Sequence, residues 1–81
     1  MTIETIAVTR TIDARGMACP GPLLSLIGAI RQGTIGDVIE VLSSDEGSKT
    51  DIPAWVAKAK HELVEVRPED AFVHFVVRKV R

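Results

Sequence analysis

The chain has 81 residues, of which 46% are apolar and 26% charged, and its formal net charge is −1. That length is one small domain, expected to span 1–81, and such a domain buries only roughly 60% of the surface its unfolded chain exposes. The near-balanced charge argues against a nucleic-acid binder or a protein drawn to anionic membranes.

The first residues, Met1-Thr2-Ile3-Glu4-Thr5-Ile6, carry no basic n-region, and no stretch approaches ~18 apolar residues. Neither a signal peptide nor a membrane span is expected. A single cysteine forms no internal disulfide, so a reducing cytoplasm is the simplest compartment. The basic end, Arg78, Lys79 and Arg81, is expected to be solvated.

Residues 6–12 alternate, with Ile6, Val8 and Ile12 on one side and Ala7, Thr9 and Thr11 on the other, which predicts a strand. Asp13 and Gly16 bracket a loop that leads to Cys19. A helix is predicted from Pro20 to Gln32, because Leu23, Leu26, Ile27 and Ile30 form one apolar face. Pro20 fits the first helical position and Gly33 the stop, with Arg31 well placed for the negative helix end. Gly28 inside the helix is either a close contact or simply tolerated.

Asp37 to Leu42 reads as a second strand. Ser48 followed by Asp51 resembles a capping box, with Pro53 in an early turn and Ile52, Trp55, Val56, Ala59 and Leu63 as an apolar stripe. His61 is expected as a cation at that helix end. Leu63–Arg67 and Ala71–Arg78 are predicted strands, joined by the turn Arg67-Pro68-Glu69-Asp70. The second strand puts Val73, Phe75 and Val77 on one side and Phe72, His74 and Val76 on the other. The order predicts an α+β fold, a two-layer βαβαββ sandwich with two helices on one face of a mixed four-stranded sheet. Strand order stays open.

A lone cysteine is most often a small core residue. Cys19, however, follows a glycine-containing loop and immediately precedes a helix, whose N-terminal partial positive charge favours thiolate over thiol. Pro20 and Pro22 lack N–H groups and stiffen the turn, so Gly21 is the expected donor to the sulfur. Position 22 is proline, which removes the resolving thiol of a disulfide exchanger. Both histidines, His61 and His74, lie in the second half, and no Cys-His hydrolase pattern is visible. A thiol that accepts and donates one sulfur atom fits what is left. Arg15 and Lys49 are candidate stabilisers of a persulfide anion, and Asp13 is expected to shape the loop by an Asx-type hydrogen bond. The order Asp45-Glu46 reads as helix-start charge in preference to a metal pair.

The run Asp13-Ala14-Arg15-Gly16-Met17-Ala18-Cys19-Pro20-Gly21-Pro22 resembles the signature of the TusA family, the SirA-like sulfur carriers. A second block, Ser44 to Trp55 and then His61-Glu62-Leu63, is similar too. The resemblance implies a fold similar to the C-terminal domain of a bacterial translation initiation factor. It implies a persulfide on Cys19, filled by a cysteine desulfurase or rhodanese and passed to a DsrE-type acceptor, with no cofactor and a monomeric carrier. It also implies service in sulfur oxidation, tRNA thiolation or molybdenum cofactor synthesis. Many members carry basic residues where this chain has Ile27 and Gly28, so Arg31 is the first cation of its helix. If those charges dock acidic partners in relatives, this chain meets different ones. The rival readings are a regulatory module in which Cys19 is incidental, and a small RNA-binding domain, which the charge opposes.

Overall fold

The computed structural model describes residues 8–18 and 20–81. The expected roles of Ile6, Ala7 and Cys19 lie outside the described residues. Four strands and two helices follow one another as β1 (Arg10–Asp13), α1 (Gly21–Gln32), β2 (Val38–Ser43), α2 (Ser48–Ala59), β3 (Glu62–Pro68) and β4 (Val73–Arg78). The sheet order is β1-β2-β4-β3. β1 runs parallel to β2, and β4 is antiparallel to both β2 and β3. A parallel neighbour needs a crossover, which α1 provides, whereas β3 and β4 are joined by a short turn. The mixed α+β sandwich is therefore as expected.

Period-two alternation decides which face is buried. Ile39 and Val41 of β2 and Val73, Phe75 and Val77 of β4 point into one core. Leu26, Ala29 and Ile30 of α1 and Ile52 and Val56 of α2 close over them. Trp55, Leu63, Leu23 and Ile12 pack around the edge. The buried stripe of α1 is rotated from the expected one: Pro22 and Ala29 are buried, while Ile27 is only half-buried. Gly28 has open space where a Cβ would stand, so no close contact explains it.

Several boundaries differ from the sequence reading, each for a local reason. Pro20 is the residue before the helix and not its first turn, because Leu24 donates to its carbonyl at 2.9 Å while Gly21 begins the helical run. Ser48 is the first helical residue after Gly47 and makes no capping box. Its hydroxyl instead accepts from Ser43 at 2.8 Å in the interior. Pro53 sits inside α2, in its second turn. The β3–β4 turn is two residues later than expected, closed by Glu69 N–H donating to the Phe72 carbonyl at 2.7 Å, because Pro68 still pairs with Val73.

The basic chain end is built into the fold. Lys79 Nζ donates to the carbonyls of Ile30 at 2.7 Å and Gly33 at 2.9 Å, so it satisfies the exposed C-terminal end of α1. Arg78 pairs with Glu62 at 2.9 Å. His61 is not a cation at the helix end. Its Nδ1 accepts the Val80 N–H at 3.2 Å, which requires a neutral ring. Burial, then the nearby charges of Lys79 and Arg81, push its pKa below the usual imidazole value of 6.5. α2 itself is closed by Lys60 in the left-handed conformation (φ 63°), with His61 N–H reaching the Val56 carbonyl at 3.0 Å.

Two outcomes are expected. Lys79→Met removes the charged cap but keeps the stem, and should lower unfolding free energy by about 1–2 kcal/mol in urea titrations, with Arg81→Met near neutral. His61 binds its proton more readily in the unfolded chain, so stability present above pH 6.5 is lost as pH falls through the lowered folded value. The His61→Gln variant should show a smaller loss between pH 7 and 5.5 in the same titrations.

Candidate functional site

The loop between β1 and α1 is an extension of the parallel ladder. Ala14, fully buried, donates to the Leu42 carbonyl at 2.9 Å, one step beyond the last paired residues. Met17 N–H then returns to the Ala14 carbonyl at 3.1 Å. Between them Gly16 takes a φ of +86°, a conformation that glycine adopts without penalty. Its N–H donates to Ser44 Oγ at 2.9 Å, just past the end of β2.

Asp13 and Arg15 form a closed unit on this loop. Arg15 Nε donates to Asp13 Oδ1 at 2.8 Å and Nη2 to Oδ2 at 2.7 Å, a two-point pair. The Arg15 backbone N–H also reaches Oδ1 at 3.2 Å, which is the Asx-type bond expected of Asp13. The Arg15 guanidinium beside it holds the Asp13 carboxyl down at about 2. On its other side the guanidinium lies over the Phe72 ring, 4.9 Å from the centroid.

The turn that leads into α1 spans Ala18 to Gly21. Gly21 N–H donates to the Ala18 carbonyl at 2.8 Å, so it is committed to the backbone and is not the waiting sulfur donor that the sequence suggested. The physical reason is the later helix start: Gly21 closes a turn before it opens the helix. Ala18 and Pro20 are exposed, whereas Pro22 is buried and anchors the helix start in the core. Met17 packs over Gly21, where a Cβ would stand 3.3 Å from the Met17 Cβ. Leu24, one turn into the helix, is 59% exposed.

Lys49 is exposed in the first turn of α2 and pairs with Glu46 at 3.2 Å. Both candidate cations, Arg15 and Lys49, thus have carboxylate partners already. A cavity of about 110 Å³ at the ends of β2 and β3 is lined by Ser44, Asp45, Lys49 and Phe72, among others. Lys49 lines it, and so does Phe72, whose ring carries the Arg15 guanidinium. Ser44 and Phe72 were given no role by the sequence. Ser44 only opened the second block of the resemblance, and Phe72 was placed on one strand face with His74 and Val76, where periodicity says nothing of its partner across the sheet. Among the described residues no group of histidine, cysteine, aspartate or glutamate is arranged to hold a metal ion. No helix there is long and apolar enough to cross a membrane.

A family model described as sulfurtransferase TusA matches residues 10–79. A protein of Archaeoglobus fulgidus, provisionally called a sulfur carrier protein, is 54% identical over 70 residues, covering 86% of this chain and 96% of its own. The sulfur carrier protein TusA of Pseudomonas syringae is 31% identical over 77 residues, covering 95% and 92% of the two chains. Among solved structures, a SirA-like protein of Desulfitobacterium hafniense superposes with a TM-score of 0.77 over 90% of this chain and all of its own. Its identity of 21% makes that a likeness of fold.

The Asp13–Arg15 pair is directly testable. The Asp13 carboxyl should titrate near 2 in NMR pH titrations, and in Arg15→Gln it should return toward 3.8.

Proposed function

The chain belongs to the TusA family of sulfur carriers, and we propose that Cys19, its only cysteine, is where the sulfur is carried. The observation that supports this most is the turn from Ala18 to Gly21, whose hydrogen bond spans position 19 directly ahead of a twelve-residue helix. The partial positive charge of that helix N-terminus favours a thiolate. The chain neighbours of Cys19, Ala18 and Pro20, are exposed, and Gly21 carries no side chain.

The reaction is thiol–persulfide exchange. The Cys19 thiolate attacks the outer sulfur of a donor persulfide, and the donor S–S bond breaks as a new one forms on Cys19. The donor leaves as its thiolate, and no electrons are gained or lost overall. An acceptor thiolate repeats the step on the Cys19 persulfide. Asp13, Gly16, Pro20, Gly21 and Pro22 shape the mount, and Arg15 and Lys49 are the candidate cations to bias the anion. No cofactor enters this chemistry.

The donor we infer is a cysteine desulfurase or a rhodanese, and the acceptor a DsrE-type carrier. Between Leu24 and Arg31 the surface of α1 carries no cation, since Ile27 and Gly28 stand there. That favours a sulfur-oxidation or other trafficking route over tRNA thiolation or molybdenum cofactor synthesis, if basic residues are what the latter partners require. A monomer in the cytoplasm suits such a relay.

Mass spectrometry after incubation with a sulfane donor is the test. One added sulfur atom on Cys19, absent from Cys19→Ser, is expected. No adduct, or the same adduct on Cys19→Ser, would leave Cys19 incidental and return the chain to a regulatory or interaction role.

A further inference from the structure

We propose that Phe72, from the β3–β4 turn, is a positioning residue for the sulfur-carrying loop, acting through Arg15. The inference rests on the reading that Cys19 carries sulfur, and concerns how its loop is held.

The loop has a weak point at Gly16. Its φ is positive, and nothing stands within 4 Å of where a Cβ would be. No side chain fills that space, and glycine itself leaves the backbone freer to turn. Restraint comes from contacts on either side. Gly16 N–H is held by Ser44. The preceding residue, Arg15, is held in two directions, by Asp13 in the plane of the guanidinium and by the Phe72 ring against its face. Asp13, paired with Leu42 at the end of β1, ties Arg15 to the β1–β2 side of the sheet. Phe72 adds the contact that ties it to the β3–β4 turn.

The Phe72 ring is itself backed by a fixed group. His74 lies 5.0 Å from it, centroid to centroid, at 55°. His74 is braced by Glu40 of β2 at 2.8 Å through Nδ1 and faces Glu69 of the turn at 3.3 Å through Nε2. The line Arg15, Phe72, His74, Glu40 thus runs from the loop to the centre of the sheet. A positioned loop displays its thiol in one place, so less ordering remains to be done when sulfur is transferred.

The test uses the full chain and inorganic polysulfide as the donor, which removes any partner protein from the measurement. The Cys19 thiolate attacks a terminal sulfur, and a polysulfide one atom shorter leaves as the dianion, so charge and electrons balance. Exposed cation–π contacts are worth about 0.5–1 kcal/mol, which converts to roughly a two- to fivefold change in rate. Phe72→Leu should slow loading of Cys19 by that factor, and Phe72→Tyr, which keeps the ring, should restore it. Arg15→Gln should slow loading equally, and the double variant Arg15→Gln, Phe72→Leu should be no slower than either single change. A merely structural Phe72 would move the urea midpoint and leave the loading rate constant alone. Wild-type rates in Phe72→Leu and Arg15→Gln, or losses that multiply in the double variant, overturn the proposal while leaving sulfur carriage intact. If wild-type protein takes no sulfur on Cys19, the two readings fall together. Arg15 lies on the surface, so its variant keeps the test informative even if Phe72→Leu folds poorly.

Discussion

The parallel pairing of β1 with β2 is the constraint from which the rest of the molecule follows. Two parallel strands cannot be joined by a tight turn, so the chain must leave the end of β1, cross the sheet and return. That crossover is α1, and it covers half of the apolar face that β2 and β4 present. The same pairing runs on for one more residue, where Ala14 bonds to Leu42, and so sets the start of the functional loop beside the end of β2. Ser44 is then within reach of Gly16. The loop ahead of Cys19 is held at the carboxyl end of a strand, the usual place for a site in open sheets with crossover helices.

The face of the sheet away from the helices is not a bare solvent face. Val76 lies between Glu40 and Glu65 in the pairing register and is buried. Arg67 stands near Glu40, Glu65 and Glu69, and His74 bridges Glu40 and Glu69. Exposed ion pairs contribute little singly. Their value here is geometric, because they hold long side chains over the sheet and keep His74 against Phe72. The polar face and the functional loop are therefore continuous, joined at the Phe72 ring.

Much of the site's local chemistry could be read along the chain. Asp13 bonds the backbone two residues on, as its residue type and place after a strand suggest. Apolar periodicity located both helices and all four strands to within a few residues. The misplacements share one cause, competition between local and distant partners. Ser48 has the composition of a helix cap, yet Ser43 claims its hydroxyl in the interior. Gly21 N–H was free on a helical count, yet a turn to Ala18 uses it. His61 and Lys79 were read as ordinary charges at chain and helix ends. Lys79 was claimed by the α1 carbonyls, and His61 accepts from Val80 N–H while burial, then the cations beside it, lowers its pKa.

What the sequence determined by itself is the one candidate nucleophile and the order of elements around it: one cysteine, after a glycine-containing loop, before a helix that opens on prolines. These are properties of neighbours in the chain, and propensity and spacing report on neighbours. Only the tertiary structure decided the strand order, the buried face of α1 and the partners of the loop. Phe72 lies far from Arg15 along the chain, and the folded sheet brings its ring 4.9 Å from the guanidinium. Such a contact depends on register and twist summed over three strands, and no local pattern encodes that sum.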